Sequence, residues 1–336
     1  MLEFAVIGYD HVHVLKYIPT IAHHPEVSLV AIAAMDGNRE MAKKASKEYS
    51  CRYFESIESV FSLKGLDAVY IGSTTDKHLE IVREAAKQGV HVLCDKPLAT
   101  NLYDADEIIS IIDNKNIKLM VPFNPRFQLS VMRLKEMVEK GMIGDLLYIN
   151  SVKYGKIPSL IPGMDTSWFF DVDKAGCGGF GDIGIHAIDA ICWLSGGKPL
   201  KVFAKIGRHI HNNLSLDDIG SAFIEFDNGV IANINSGWAN PAKYPSWLDV
   251  KFEALGSEKV VAIDKPYHDF KIYNEERTEA VSWWRTDISM LVNEFIQSIL
   301  EKREPSITAR DARRALEVTL AAYQSSTTGE EVMLPL

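Results

Sequence analysis

The sequence predicts an α/β protein of two domains: a doubly wound parallel sheet over residues 1–121, then an α+β domain with a large, mostly antiparallel sheet over residues 122–336. Three observations predict this. Short apolar runs alternate with segments of helical spacing up to about residue 121, and longer strands of alternating polarity follow. A chain of 336 residues, 47% hydrophobic and 24% charged, suffices for two separate cores.

The elements follow in order. Phe4 to Ile7, Ser28 to Ala34, Arg52 to Phe54, Ala68 to Ile71, Val90 to Leu93 and Leu119 to Val121 are short runs of buried-strand character. Between them Val14, Ile18, Ile21 and Ala22, and later His78, Ile81, Val82 and Ala85, keep helical spacing, so the pattern is βαβ and favours a sheet covered on both faces. Gly89 fits a left-handed helix end. Tyr148 to Tyr154, Val202 to Ile206, Ser221 to Phe226, Val230 to Asn235, Leu248 to Ala254 and Val260 to Ile263 read as the second set of strands, with a hairpin at Asp227-Asn228-Gly229. Two closing helices are spaced on Leu291, Phe295 and Ile299, and on Ala312, Ala315, Leu316, Thr319 and Tyr323.

Composition excludes several function classes. The formal net charge is -9 and no Lys/Arg-rich block interrupts the chain, which argues against a nucleic-acid or anionic membrane partner and for small molecules. Met1-Leu2-Glu3 leads straight into a strand, without a basic leader or a bilayer-length apolar stretch, so a cytoplasmic protein is expected. Cys51, Cys94, Cys177 and Cys192 show no CxxC pairing and read as reduced thiols in or near cores.

Three stretches carry chemistry. Gly8-Tyr9-Asp10-His11-Val12-His13 sits where a dinucleotide-binding Rossmann fold has G-x-G-x-x-G, with only the first glycine present. A carboxylate facing a diphosphate repels it, so Asp10 points away, is offset by His11 or His13, or marks altered cofactor use. Asp36 closes the second strand at the distance where an acidic residue binds the adenine ribose of NAD and disfavours NADP; it equally suits a helix N-cap, and Arg39 nearby suits a phosphate. The second stretch, Cys94-Asp95-Lys96-Pro97, delivers a lysine and a carboxylate at a strand exit, where open parallel sheets bind ligands. The third is Gly176 to Asp189. If helical from Asp182, it sets Asp182 and His186 four apart on one face, a spacing that suits proton transfer, a buried structural histidine or, less well, zinc with His209 and His211 as remote partners. No second short-spaced ligand pair accompanies it, so no metal is expected there.

Cys94 to Thr100 resembles the E-K-P signature of the Gfo/Idh/MocA oxidoreductases, and Asp182 and His186 match that family's G-G-x-x-x-D-x-G-x-H-x-x-D. The resemblance extends through the hairpin ending near Trp238 and the tail from Leu316 to Gly329. It implies an NAD(P)-dependent dehydrogenase acting on a secondary alcohol or ketone of a sugar, cyclitol or related polyol. In that picture Lys96 binds the hydroxyl, His186 takes its proton and Asp182 orients His186. Gly8, Tyr9, Asp10, His11, Val12, Asp36, Ser73, Thr74, His78, Asp95, Lys96 and Pro97 hold the dinucleotide. Departures are Ser73-Thr74 for Thr-Pro, Asp95 for glutamate, and Trp168-Phe169 for Trp-Arg. Trp168 and Arg126, with Lys96, Asp182 and His186, are the expected substrate contacts, although Arg126 equally suits a salt bridge. Relatives form homodimers or homotetramers through the large sheet, and the same is expected here. Two alternatives keep the fold: an NAD-dependent glycosidase that oxidises its substrate transiently, and a non-catalytic NAD-binding sensor.

Overall fold

Buried β-branched and aliphatic residues build the first sheet from the outset: β1 (Leu2–Ile7), β2 (Val27–Ala33), β3 (Arg52–Phe54), β4 (Leu66–Ile71), β5 (His91–Cys94) and β6 (Leu119–Met120), separated by α1 (Val14–Ala22), α2 (Arg39–Glu48), α3 (Ile57–Phe61), α4 (His78–Gln88) and α5 (Leu102–Lys115). The computed structural model describes all residues except 36, 265–269, 274–277 and 282–286. The strands run parallel in the order β3-β2-β1-β4-β5-β6, the doubly wound arrangement whose direction of winding reverses between β1 and β4. Local chemistry sets the helix limits. Asn101 caps α5 by accepting from the Asp104 amide at 2.9 Å, and Gly89 ends α4 at φ 71°.

Beyond β6 come α6 (Leu129–Glu139), β7 (Leu146–Gly155), α7 (Val172–Ala175) and α8 (Gly179–Ser195), then β8 (Pro199–Gly207), β9 (Ile219–Phe226), β10 (Ile231–Gly237), β11 (Leu248–Gly256), β12 (Val260–Asp264), β13 (Phe270–Tyr273) and β14 (Thr278–Val281). The chain closes with α9 (Asp287–Leu300), α10 (Ala309–Thr328) and β15 (Val332–Met333). The second sheet has the order β12-β11-β7-β10-β9-β8-β15 and is antiparallel except where β7 meets β10. The hairpin at Asp227 to Gly229 joins β9 to β10 as the sequence predicts, with Gly229 at φ 82°. One face of this sheet packs on α8. Gly184 permits the approach, since a Cβ there would stand 3.2 Å from the Ser236 side chain on β10.

The chain divides into two units. The first contains Met1–Pro122 together with Pro158–Gly176 and Ile288–Leu316; the second contains Phe123–Ile157, Cys177–Asp287 and Glu317–Leu336. The two later segments join the first unit through packing that no local pattern announces. Phe295 on α9 meets Phe4 of β1 edge-on at 6.2 Å, and Trp168 packs beside the turn after β1. All four cysteines are free, with Cys94 and Cys192 buried. Among the described residues no helix is long and apolar enough to cross a membrane.

Candidate active site

In the first unit the site is built at the carboxyl ends of β1, β4 and β5. Gly8 has φ +87°, and a Cβ on it would stand 2.4 Å from the Ser73 amide nitrogen, so only glycine lets β1 pass the chain leaving β4. The amides of Asp10 and His11 both donate to the Gly72 carbonyl at 2.9 Å, which folds the turn tightly but uses donors that a three-glycine turn leaves for a diphosphate. Asp10 turns toward the loop after β2, where its Oδ1 accepts from the Gly37 amide at 3.1 Å. Its charge thus meets a backbone donor. Asp36 lies outside the described residues.

Asp95 is the buried centre of this half. Tyr70 donates its hydroxyl to Oδ2 at 2.5 Å, the Lys96 amide donates to Oδ1 at 2.7 Å, and the Nδ1 atoms of His11 and His13 lie 3.2 and 3.0 Å from Oδ2 and Oδ1. Burial works to raise the Asp95 carboxyl, but the two imidazoles and the hydrogen bonds from His13 and Tyr70 hold it well below the usual carboxylate range. Burial, followed by the Asp95 charge, pushes the Tyr70 phenol well above its ordinary value. The lysine of interest, Lys96, is buried immediately after this anchored carboxylate and precedes Pro97 through a cis peptide bond. Ser73 and Thr74 are buried too, with the Ser73 hydroxyl on the Thr74 carbonyl and the Thr74 hydroxyl on Asp76. Tyr9 and half-buried Val12 complete the turn, and Val12 packs on Trp168, Phe169 and Ala175.

Two of the expected contacts make hydrogen bonds within the first unit. His78 is buried, and its Nδ1 lies 3.0 Å from the Pro97 carbonyl, so the ring ties α4 to the loop that presents Lys96. Trp168 donates its indole N–H to the Asp10 carbonyl at 3.0 Å and stacks on Phe169 at 4.0 Å, with His11 beside both rings. Its one polar donor is thereby used on the turn.

Burial lowers the His78 pKa below its ordinary value, against the pull of Asp95 and the carbonyls of Leu98 and Pro97. The unfolded chain therefore binds a proton that the folded state refuses, so stability falls as pH drops through about 6.5. Denaturation midpoints at pH 7.5 and 5.5 should show a loss approaching about 1.4 kcal/mol per pH unit from this residue. A pH slope unchanged in His78→Gln contradicts the assignment.

In the second unit the glycine run opens α8 at Gly179, earlier than Asp182, so Asp182 and His186 share one helix. Both are buried. The Trp238 indole donates to Asp182 Oδ2 at 2.8 Å, and the His186 ring stands edge-on to Phe123 at 5.8 Å. Three turns into this apolar helix Asp189 grips Arg126 in a two-pronged buried pair, Nε to Oδ2 at 2.7 Å and Nη2 to Oδ1 at 2.5 Å. Arg126, expected as a substrate contact, is thus committed to a carboxylate of its own unit and lies over the Trp193 ring. The histidines weighed as remote zinc partners are placed otherwise: the backbone amides of His209 and His211 bind the Asp218 carboxylate, and the His211 ring meets the Trp238 carbonyl.

Sequence reasoning missed Tyr70, Trp238 and the partner of Asp189. Two of these left a signal: a tyrosine within Ala68-Val69-Tyr70-Ile71 and an aspartate within an apolar helix both require a buried partner.

Residues 2–123 match the model of the oxidoreductase family with an NAD-binding Rossmann fold, and residues 131–262 match the GFO/IDH/MocA C-terminal domain. Among curated proteins, the myo-inositol 2-dehydrogenase of Thermotoga maritima is 26% identical over 332 residues, covering 95% of this chain and 93% of that one. Among solved structures, GenD2 from gentamicin A biosynthesis, in complex with NAD, superposes with a TM-score of 0.88 at 20% identity, covering 100% of this chain and 97% of the other. A levoglucosan dehydrogenase in complex with NADH and levoglucosan gives 0.83 at 22% identity, with 100% of both chains covered. The two family matches, in order and across both units, show that this chain belongs to the Gfo/Idh/MocA family of NAD(P)-dependent oxidoreductases.

Proposed function

We propose that the enzyme transfers a hydride between the nicotinamide and a secondary alcohol or ketone of a sugar, cyclitol or related polyol, with Lys96, Asp182 and His186 as its catalytic residues. The observation that carries this reading is the buried Asp182 and His186 on the glycine-rich start of α8, with Trp238 fixing the carboxylate. Imidazole is the side-chain group most often used for general acid-base proton transfer. Bound NAD supplies the hydride acceptor. Lys96, buried behind the anchored Asp95, binds the reacting hydroxyl and favours its ionisation; His186 accepts the proton; Asp182 keeps the imidazole and the substrate aligned. The substrate class rests on the names of relatives that include inositol and xylose dehydrogenases.

Titration with NAD and NADP, followed by a polyol and aldose screen read by nicotinamide absorbance and product analysis, tests this. Stoichiometric reduction with a ketone or lactone product is expected. Product formation without net reduction identifies the glycosidase alternative, and binding without turnover identifies the sensor. The same preparation is expected to sediment as a dimer or tetramer. The sheet face away from α8 exposes Phe203, Phe223, Ile231, Leu255 and Val260, with Phe203 and Phe223 directly paired across β8 and β9. A monomer at micromolar concentration rejects that assembly.

A further inference from the structure

We propose that His11, His13 and Asp95 form a binding site for a first-row divalent metal ion, of which zinc is the simplest example. This goes beyond the dehydrogenase reading and does not depend on it. One ligand atom from each residue lies within 4.8 Å of the other two. The imidazole Nδ1 atoms stand 3.2 and 3.0 Å from the two carboxylate oxygens. Ligands about 2.0–2.2 Å from a tetrahedral ion are roughly 3.3 Å apart, so small adjustments bring the three residues to coordination distance.

The hydrogen bonding favours an ion over a proton at this centre. The His13 amide donates to His11 Nδ1 at 3.2 Å, so that nitrogen offers a lone pair, and the same lone pair faces Asp95 Oδ2 in a dry place. Placing the proton on Nδ1 instead sets it against the His13 N–H. Neither neutral tautomer suits both neighbours, whereas a cation accepts electron pairs from the imidazole and the carboxylate together.

The surroundings are those of a built site. Tyr70 and the Lys96 amide hold the two carboxylate oxygens from behind, fixing the direction of Asp95 as outer hydrogen bonds do around metal ligands. Trp168 and Phe169 wall the His11 ring on the other side. Two imidazoles and one carboxylate suit zinc, cobalt or ferrous iron in preference to calcium or magnesium, which take oxygen ligands.

The full chain, stripped with a chelator, is titrated with zinc chloride and then with cobalt chloride. One equivalent of zinc should bind at micromolar free metal and raise the thermal midpoint, and bound cobalt should show visible bands of nitrogen and oxygen ligation. His11→Ala and His13→Ala should each weaken zinc at least about 100-fold, while His209→Ala and His211→Ala leave it unchanged. Absence of stoichiometric binding by the unmodified protein overturns the proposal. So does a strong thiolate-to-cobalt band, or undiminished binding in a folded His11→Ala or His13→Ala variant. The measurements on the unmodified chain decide the question even if those variants do not fold.

Discussion

His186→Ala is expected to lower kcat by about a hundred- to ten-thousand-fold, the usual contribution of one general acid-base group. The imidazole is buried on α8 in the second unit, whereas the Gly8 turn and the Lys96 loop belong to the first, so NAD binding should survive the substitution. Removal of a proton acceptor acts on turnover; removal of a binding group acts first on KM. Steady-state kinetics with the best substrate from the screen, beside a dinucleotide titration of the same variant, check this. His186→Asn serves as the second variant, because it keeps a polar group at this buried position while lacking the imidazole base. Full activity in either variant removes His186 from the mechanism.

Asp189→Ala is expected to cost about 3–5 kcal/mol, because it strands the Arg126 guanidinium inside the protein. Side-chain exposures of 6% for Arg126 and 1% for Asp189 leave little access for water to compensate. The thermal midpoint should fall by roughly 6–20 °C. Replacing both partners together, Arg126→Met with Asp189→Leu, should recover most of the loss, since an apolar pair of similar volume carries no unpaired charge. A midpoint within a degree or two of the unmodified protein for Asp189→Ala means the pair is not the buried anchor described here.

Much of the fold was legible in the sequence because period and punctuation are local. The alternation of short buried strands with helical spacing gave the parallel sheet, and Asp227-Asn228-Gly229 gave the β9–β10 hairpin. Gly89 ends its helix as its residue type demands. The candidate site was half legible. Lys96, Asp182 and His186 stand out because ionisable groups inside apolar elements are rare without a purpose or a partner. Their partners were not visible. Nothing between positions 11 and 95 says that two histidines will bracket one carboxylate, and Arg126 lies 63 residues from the aspartate that claims it.

By itself the sequence determined the order and type of the elements, the glycines that permit close passage, and the residues with chemistry to offer. The tertiary structure decided where that chemistry is directed: Asp10 onto the Gly37 amide, Arg126 onto Asp189, Trp168 onto the Asp10 carbonyl, and His11 with His13 onto Asp95. The physical reason is range. Backbone periodicity and turn chemistry act over a few residues, while a buried polar side chain settles on whichever partner the packed backbones bring within about 3 Å, at any distance along the chain.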